Sequence, residues 1–441
     1  MTLNRQISRI AKILVDKEGI TFPEAEARLK SLTLEIVVDP RATSAAAHTA
    51  ILTAVNIGHR SFVGGVKVTG AVTQSVHTAL PLRGQTLEEA AQEVGASAFD
   101  GPALRRIVVG GTRKDSDDRS ILLWWDGWRA GAAAEGDVMF GNGDNPLTGI
   151  AAAALGVGIA FLEECGLGCQ DRLEIALWEE GDEPPFEQVF LPGALWLVGI
   201  GNLGQAYLWA LASLPYSAPS EVELVLQDRD HVTEDNWGTS VLVFEETYGV
   251  LKTKVGEHWG EAKGFTIRRV DRKLVSTDRL DDDDPRVAVS GLDRVAPRIA
   301  MGQVGFACIV DAGLGRTVQD FDGFRVSVFD DVNPIDRRFA SETDESPDES
   351  IRDKAAYQDL EARIGPCGMA EIAGASAAVP FVSALASAVV VARLIALASG
   401  KKHAATEVGK ISKLGARRKS PAALAAVRGT KHAGRPDRKP S

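Results

Sequence analysis

The sequence is poor in cysteine, with only four in 441 residues. Cys165, Cys169, Cys308 and Cys367 are too few and too widely spread for a disulfide framework. Cys165 and Cys169 have the spacing Cys-(x)3-Cys without a second pair elsewhere, so the paired ligands of a structural zinc site are missing as well. We therefore expect free thiols, of which Cys308, inside an apolar run, is buried and inert.

An apolar leader is also missing, because Arg5, Arg9 and Lys12 interrupt the first residues, and the sequence therefore predicts a cytoplasmic protein. The net charge of −11, with basic residues concentrated after residue 400, argues against a nucleic acid partner. Segment 401–441, which contains several glycines and prolines, is typical of a basic disordered tail. Residues 372–392 carry no charge, but their alanines and serines favour a helix packed inside a domain over a membrane span.

The rest of the composition is typical of a globular protein with more than one domain. Hydrophobic residues make up 45% and charged residues 25% of a chain that is too long for one ordinary domain. The best linker is the segment GDEPP at 181–185. The sequence thus predicts an amino-terminal α/β domain over 1–180, a second domain over 190–400 and the tail over 401–441.

Strands and helices alternate in the second domain. Apolar runs predict strands at 194–198, 222–226, 266–270, 287–290 and 308–310, with helices at 202–214, 252–260 and 296–304 between them. Consecutive parallel strands need crossover helices, which cover both faces of the sheet. We therefore predict a doubly wound, mostly parallel, Rossmann-like α/β fold, closed by a helix over 372–392.

A glycine-rich turn follows the first of these strands. Gly199, Gly201 and Gly204 have the spacing that lets a strand turn sharply into a helix whose amino end can bind a phosphate. Asp228 follows the second strand, at the position where a Rossmann-type fold holds a ribose hydroxyl. The two features together predict a nucleotide site in the middle of the chain.

Further motifs, in the same order, resemble the ThiF/HesA/MoeB family of adenylating enzymes, which includes the ubiquitin-activating enzymes. GIGNLG resembles the glycine loop of that family, DRDHVTEDN its Asp-x-Asp segment, YGVLKTKV its lysine segment and SGLDRVAPR its Asp-(x)4-Arg segment. The resemblance covers about 191–397 and implies that ATP and Mg²⁺ bind there. It assigns the nucleotide to Gly199, Gly201, Asn202, Gly204, Asp228, Asp230, Lys252 and Arg298, catalysis to Asn236, Lys252, Asp293 and Cys367, and the metal to Asp293.

The implied chemistry brings a carboxylate against the α-phosphate of ATP, so two anions meet and charge must be neutralised. The sequence departs from the family at Thr239, where the family has an arginine that would meet the terminal phosphates. Either Arg229 or Lys254 replaces that cation, or turnover is impaired. We expect Cys367 near the start of the last helix, where the helix dipole would favour a thiolate that accepts a thioester; the alternative is a small packing residue between two glycines.

The resemblance implies an adenylyltransferase that activates the C-terminal carboxylate of a small ubiquitin-like or sulfur-carrier-like protein. It further implies a homodimer and a conjugating enzyme as a candidate partner, while the charge and composition described above argue against nucleic acid and a membrane. Two other classes remain open: an NAD-dependent oxidoreductase, which the glycine turn and Asp228 would also suit, and a nucleotide-binding partner subunit that lost turnover with Thr239. The amino-terminal half is either a degenerate copy of the same fold or a partner-recognition domain.

Overall fold

Two large sheets organise the chain, one in each half. The computed structural model describes residues 5–112, 117–136, 138, 143–315, 317–340, 354–423 and 430–437. Both sheets combine parallel strands with an antiparallel edge, and helices cover them. The predicted doubly wound α/β fold is confirmed.

The amino-terminal half starts with two helices and continues as a six-stranded sheet of order β2-β1-β3-β4-β5-β6. Strands β1 to β4 are parallel, whereas β5 and β6 are antiparallel to their neighbours. Its elements are α1 (Ser8–Glu18), α2 (Phe22–Ser31), β1 (Thr33–Val38), α3 (Ala45–Ser61), β2 (Gly65–Gly70), α4 (Leu87–Glu93), β3 (Arg105–Val109), β4 (Ser120–Asp126), β5 (Arg129–Ala133), α5 (Pro146–Glu164) and β6 (Arg172–Ala176).

The carboxy-terminal half forms an eight-stranded sheet of order β15-β14-β12-β11-β10-β7-β8-β9. Strands β7 to β11 are parallel, and β12, β14 and β15 are antiparallel. Strands β13 and β16 form a separate pair. The elements are β7 (Ala194–Val198), α6 (Asn202–Ser213), β8 (Glu223–Gln227), α7 (Lys252–Lys263), β9 (Thr266–Val270), β10 (Val287–Ser290), α8 (Val295–Met301), β11 (Cys308–Leu314), β12 (Gly323–Phe329), α9 (Ile335–Phe339), α10 (Ala355–Gly374), α11 (Pro380–Ala398), β13 (His403–Ala404), β14 (Thr406–Lys410), β15 (Arg418–Lys419) and β16 (Ala422–Ala423).

The two sheets share one topology. In each, the first strand (β1 or β7) is flanked by the second (β2 or β8) on one side and by the next two (β3 and β4, or β10 and β11) on the other, and antiparallel strands follow. The amino-terminal sheet lacks a counterpart of β9. Of the two alternatives for the amino-terminal half, this repeated strand order favours the degenerate copy of the fold.

Equivalent helices of the two halves pack together at the centre of the protein. Helices α3 and α5 contact each other, α6 and α11 do the same, and α11 crosses to both α3 and α5. Trp209 of α6 donates a hydrogen bond to Thr53 of α3 across this contact, 3.0 Å long. Helices α5 and α11 are long and apolar enough to cross a membrane, but 94% of the most apolar window of each is buried inside the protein. Such burial is typical of a core helix.

The expectation of a disordered tail after residue 400 is wrong for most of that segment. Strand β14 pairs with β12 inside the large sheet, and Ile411 and Leu414 are buried. Glu407 is only 1% exposed because it forms ion pairs with Arg393 and Arg417, with N–O distances of 2.7 and 2.9 Å. The basic residues that suggested a solvated tail thus include partners of a buried carboxylate.

Two helix predictions also need correction. The residue pattern predicts a helical segment from residue 1 to about 39, but helix α2 ends at Ser31 and 33–38 form strand β1. The helix expected over 372–392 is two helices, since α10 ends at Gly374 and α11 begins at Pro380. Proline lacks the backbone N–H that an interior helix position needs and is best accommodated in the first turn.

Candidate functional site

A cleft opens where the carboxyl ends of three parallel strands meet. Val198, the last residue of β7, pairs with Gln227 of β8 on one side and with Ser290 of β10 on the other. The chain leaves β7 toward β8 and later returns on the opposite side as β10, which makes this edge the topological switch point of the sheet. The cleft has a volume of about 710 Å³ and is lined by the residues that follow these strands.

The glycine turn between β7 and α6 borders the cleft, and its glycines serve different purposes. Gly199 has a φ of +87°, which favours glycine. A Cβ atom on Gly204 would lie 2.1 Å from the carbonyl oxygen of Gly199, so a side chain would force α6 away from the turn. A Cβ on Gly201 would have nothing within 4 Å, so this glycine leaves open space in the cleft. The turn thus brings the amino end of α6 to the cleft.

Asp228 fastens this turn from the neighbouring strand. Its carboxylate accepts hydrogen bonds from the backbone N–H of Ile200 (2.7 Å) and of Asp230 (2.8 Å). Asn202, the first residue of α6, also lines the cleft, and its Oδ1 atom has no hydrogen-bond partner within the described part of the chain. A ligand with polar groups would satisfy that amide. The predicted placement of both residues beside the glycine turn agrees with the structure.

Lys252 brings a cation to the cleft from the start of α7. Its Nζ atom lies 3.5 Å from an oxygen of Asp230, which is more exposed and lies 3.5 Å from the Arg229 guanidinium as well. Asn236 lies in the cleft wall, where its side-chain oxygen accepts a hydrogen bond from the backbone N–H of Thr233 (3.1 Å). The lysine and both aspartates predicted for the nucleotide therefore lie together with Asn236, which was predicted for catalysis.

Asp293 lies at the exposed rim of the cleft, beyond the end of β10. None of the residues that the structure describes forms an ion pair with it. No group of three or more His, Cys, Asp or Glu side chains that could hold a metal is found in the described ranges. A single carboxylate at the rim of the cleft fits Mg²⁺, which is commonly held by one or two carboxylates together with substrate phosphates and waters. Asp293 is thus suited to the predicted metal only when a polyphosphate supplies further ligands.

Arg298 also lines the cleft, but its guanidinium is engaged by the protein. It donates to the carbonyl oxygens of Leu292 (2.6 Å) and Ala312 (3.0 Å) and lies 3.1 Å from the Asp311 carboxylate. Burial raises the pKa of Asp311, and the charges of Arg298 and Arg325 oppose that shift. These contacts differ from the nucleotide contact predicted for Arg298, because they tie the residue preceding Asp293 to strand β11.

Arg9 is a cleft residue that sequence reasoning missed. It projects from α1, more than two hundred residues before the other charged groups, and donates to Asp235 from Nε at 2.9 Å. Burial alone would raise the pKa of Asp235, but the Arg9 charge and a hydrogen bond from Thr233 lower it overall. Arg9 is one of several charged residues of the first helix, and nothing in that helix forms a motif that would single it out.

Thr239, which stands where the family has an arginine, and the two predicted substitutes, Arg229 and Lys254, have different positions relative to the cleft. Thr239 is buried in the cleft wall, where its hydroxyl donates to the carbonyl oxygen of Asn236 (3.4 Å). Arg229 lines the cleft, whereas Lys254 is not among the described residues that line it. Of the two cations predicted to replace the family arginine, only Arg229 lines the cleft. Arg9 is a further cation in the cleft lining.

The cysteines do not enter the cleft lining in the described part of the chain. Burial raises the pKa of Cys165, Cys169 and Cys308 to about 12, so all three are protonated at neutral pH. Cys308 is buried in β11, as predicted. Cys367 lies well inside α10 rather than at the start of the last helix, so the predicted helix-dipole effect on its thiol is wrong, since that effect fades within one turn. Its side chain lies outside the described residues.

Two protein-family models match the chain, one on each half. The model of the BilD C-terminal domain matches residues 191–401, and that of the BilD N-terminal domain matches residues 33–172. A protein from Collimonas sp. (strain OK412), described as bacterial E1-like protein BilD, is 33% identical over 414 residues, which are 90% of this chain and 89% of that protein.

Solved structures of Escherichia coli MccB are more distant. MccB with ATP is 14% identical with a TM-score of 0.31, over 57% of this chain and 65% of MccB. MccB with AMPCPP and MccA is 14% identical with a TM-score of 0.33 over the same shares. The chain thus matches slightly less than two thirds of the length of MccB.

Proposed function

The chain belongs to the BilD family of bacterial E1-like proteins, and from that premise we propose that it is an ATP-dependent adenylyltransferase that activates the C-terminal carboxylate of a small protein. One observation carries the proposal: the glycine turn, Lys252, Asp293 and Arg9 come from distant segments and line one cleft. A backbone cradle, cations and a metal-binding acid are the groups that a triphosphate requires.

In the proposed reaction, a carboxylate oxygen of the partner attacks the α-phosphorus of ATP. An oxygen–phosphorus bond forms, the bond from the α-phosphorus to the oxygen bridging to the β-phosphate breaks, and pyrophosphate leaves. Little covalent chemistry is left to the protein, so its contribution is positioning and charge neutralisation.

The cleft residues divide this work. Backbone N–H groups at the amino end of α6 would meet phosphate oxygens, and Asp228 would hold a ribose hydroxyl. Lys252 would neutralise phosphate charge, and Asn236 would donate a hydrogen bond to a phosphate oxygen in the transition state. Asp293 would hold Mg²⁺, which when bound would neutralise phosphate charge.

Arg9 would supply the charge that Thr239 cannot. Its guanidinium lies at the same cleft, and in the described part of the chain it forms an ion pair with a single carboxylate, that of Asp235. A guanidinium is well suited to bind phosphate oxygens with two parallel hydrogen bonds. The presence of this cation favours an active enzyme over a partner subunit that has lost turnover.

We propose a small ubiquitin-like or sulfur-carrier-like protein as the carboxylate donor. The small residues Gly315, Ser376 and Ala378 also line the cleft and leave room for an extended C-terminus. A homodimer, transfer of the acyl group to Cys367, delivery to a conjugating enzyme and a cytoplasmic location are further parts of the proposal that rest on the family resemblance and the sequence.

Pyrophosphate exchange tests the proposal. Labelled pyrophosphate should enter ATP only when the cognate small protein is present, for which a neighbouring gene product ending in Gly-Gly is the first candidate. Asp293→Ala should abolish the exchange while the fold is retained, whereas Asp283→Ala, an exposed acid outside the cleft lining, should leave it unchanged. Exchange unaffected by Asp293→Ala would remove Asp293 from the site.

The exchange assay combined with binding measurements for ATP and NAD separates the other two classes. ATP binding without exchange would favour a nucleotide-binding subunit that has lost turnover. Tighter binding of NAD than of ATP would favour the oxidoreductase, for which Lys252, Asp293 and Arg9 have no obvious use.

A further inference from the structure

Helix α1, which carries Arg9, is anchored to helix α10. Lys12 of α1 donates a hydrogen bond from Nζ to the hydroxyl of Tyr357 (2.7 Å). The Tyr357 hydroxyl in turn donates to Asp16 of α1 (3.0 Å), and Lys12 and Asp16 form an ion pair at 3.1 Å. Lys354 adds a second cation 3.3 Å from Asp16. One hydroxyl of α10 therefore joins two charged residues of α1.

The anchor and the cleft arginine share one stripe of α1. Arg9, Lys12 and Asp16 are spaced i, i+3 and i+7, which places them on the same face of a helix. At one end of the stripe, Arg9, which lines the cleft, donates a hydrogen bond to Asp235. A rotation or shift of α1 that broke the contacts of Lys12 and Asp16 would therefore move Arg9 as well.

The anchor is a buried one. Lys12 is 4% exposed and Tyr357 0% exposed, and the tyrosine ring packs edge-on against Phe22 of α2, with ring centroids 5.5 Å apart. Burial lowers the pKa of Lys12, while Asp16 opposes that shift. Buried charges are sensitive to the loss of any one hydrogen bond, because water cannot replace it.

We infer that Tyr357 is a positioning residue for Arg9: its hydroxyl fixes the rotation of α1 and thereby sets where the guanidinium lies in the cleft. This inference rests on the proposed function, in which Arg9 meets the outer phosphates of ATP. Tyr357 itself does not line the cleft. Its removal should therefore change only what Arg9 contributes, and a residue with a purely structural role would not show that selectivity.

The test compares the affinities of MgATP and of AMP by calorimetry, because only MgATP has the outer phosphates. Arg9→Ala should weaken MgATP about tenfold or more, as expected for the loss of a hydrogen bond to a charged group, and leave AMP unchanged. Tyr357→Phe keeps the ring against Phe22 and should weaken MgATP about threefold to tenfold, with AMP again unchanged. In the Arg9→Ala background, Tyr357→Phe should have no further effect.

Two controls complete the design. Tyr216→Phe removes another buried hydroxyl, which donates to the carbonyl oxygen of Pro192 (2.9 Å) outside the cleft, and it should leave both affinities unchanged. Lys12→Met breaks the anchor from the α1 side and should reproduce the effect of Tyr357→Phe. Thermal unfolding of each variant checks the fold, and Lys12→Met decides the matter should Tyr357→Phe not fold.

The outcomes separate the inference from the proposed function. Three results would each overturn the inference and leave the proposed function standing. Tyr357→Phe could weaken the binding of MgATP and AMP equally, or its effect on MgATP binding could add to that of Arg9→Ala in the double variant. The third result is normal MgATP binding by Tyr357→Phe when Arg9→Ala weakens it. An Arg9→Ala variant that binds MgATP normally would overturn the role of Arg9, and with it this inference, while exchange in the wild type would still support adenylation.

Discussion

The glycine turn gives the sharpest test of how the cleft is built, because two of its glycines should fail in different ways. A Cβ on Gly204 would lie 2.1 Å from the Gly199 carbonyl oxygen, and a Cβ on Gly201 would have nothing within 4 Å. Real Cβ contacts are essentially never below 3.0 Å. Gly204→Ala therefore requires α6 to move away from the turn by about 1 Å in a tightly packed interior.

The cost follows from that displacement. Overpacking a well-packed site costs about 1–3 kcal/mol, and the higher helix propensity of alanine offsets up to about 1 kcal/mol of it. We expect a net loss of about 1–2 kcal/mol, which lowers the Tm by a few degrees. Because the amino end of α6 moves, MgATP binding should also weaken, by about tenfold or more. Gly201→Ala should keep the Tm, since its methyl group meets only open space, but should weaken MgATP by filling the cleft.

Thermal unfolding and calorimetric titration with MgATP measure both effects. The reasoning would be refuted if Gly204→Ala kept both the Tm and the affinity, or if Gly201→Ala destabilised the protein as much as Gly204→Ala. Normal MgATP binding by both variants would show that the phosphates of ATP do not contact the glycine turn.

Three further predictions concern other parts of the molecule. Arg60, buried on α3, donates to backbone carbonyls of the loop that follows Asn236, so Arg60→Met should cost about 1–3 kcal/mol and weaken MgATP, whereas Arg41→Met at an exposed site should do neither; urea unfolding measures the difference. Truncation after residue 400 should destabilise the protein by about 3–5 kcal/mol, because it leaves the buried Arg393 without Glu407, while truncation after residue 437 should be neutral by the same assay; equal stability would contradict the strand assignment of this segment. Because the pKa of the three described cysteines is raised to about 12, their thiolate fraction at pH 8 is about a thousandfold below that of an ordinary thiol and rises only as the pH approaches 12. Native alkylation with iodoacetamide at pH 8, read by peptide mass spectrometry, should therefore label Cys367 or no cysteine; rapid labelling of another cysteine would show that its burial is not maintained.

The carboxy-terminal fold was accessible from sequence because its central strands are continuous apolar runs buried on both faces. Ala194–Val198 and Val287–Ser290 lie where the hydrophobic pattern predicts them, and the partly exposed edge strand Thr266–Val270 lies where the alternation of strands and helices predicts it. The turn glycines and Asp228 were equally accessible, because close backbone approach and strand order fix their positions.

The parts that sequence reasoning missed depend on long-range contacts. Helix α3 is almost entirely buried, between α5 and the sheet of its own half and helix α11 of the other, so it lacks the amphipathic pattern that would reveal a surface helix. The sequence around Glu407 predicts a solvated tail, and only the ion pair with the buried Arg393 explains why Glu407 is buried. Arg9 reaches the cleft only because the first helix packs against the loop around Asp235, and no local pattern encodes that contact. Arg298, by contrast, is in the expected place with different partners.

The central claim is that this cleft joins a carboxylate to AMP, and intact-mass spectrometry of the small partner protein tests it most directly. After acid quenching of a reaction with ATP and Mg²⁺, the partner should carry one AMP at its C-terminus, and pyrophosphate should be released. Lys252→Met should abolish the adduct, while Lys254→Met, two residues later and outside the described cleft lining, should form it as the wild type does. A wild-type protein that binds MgATP but leaves the partner unmodified, or equal loss of the adduct in both lysine variants, would contradict the account.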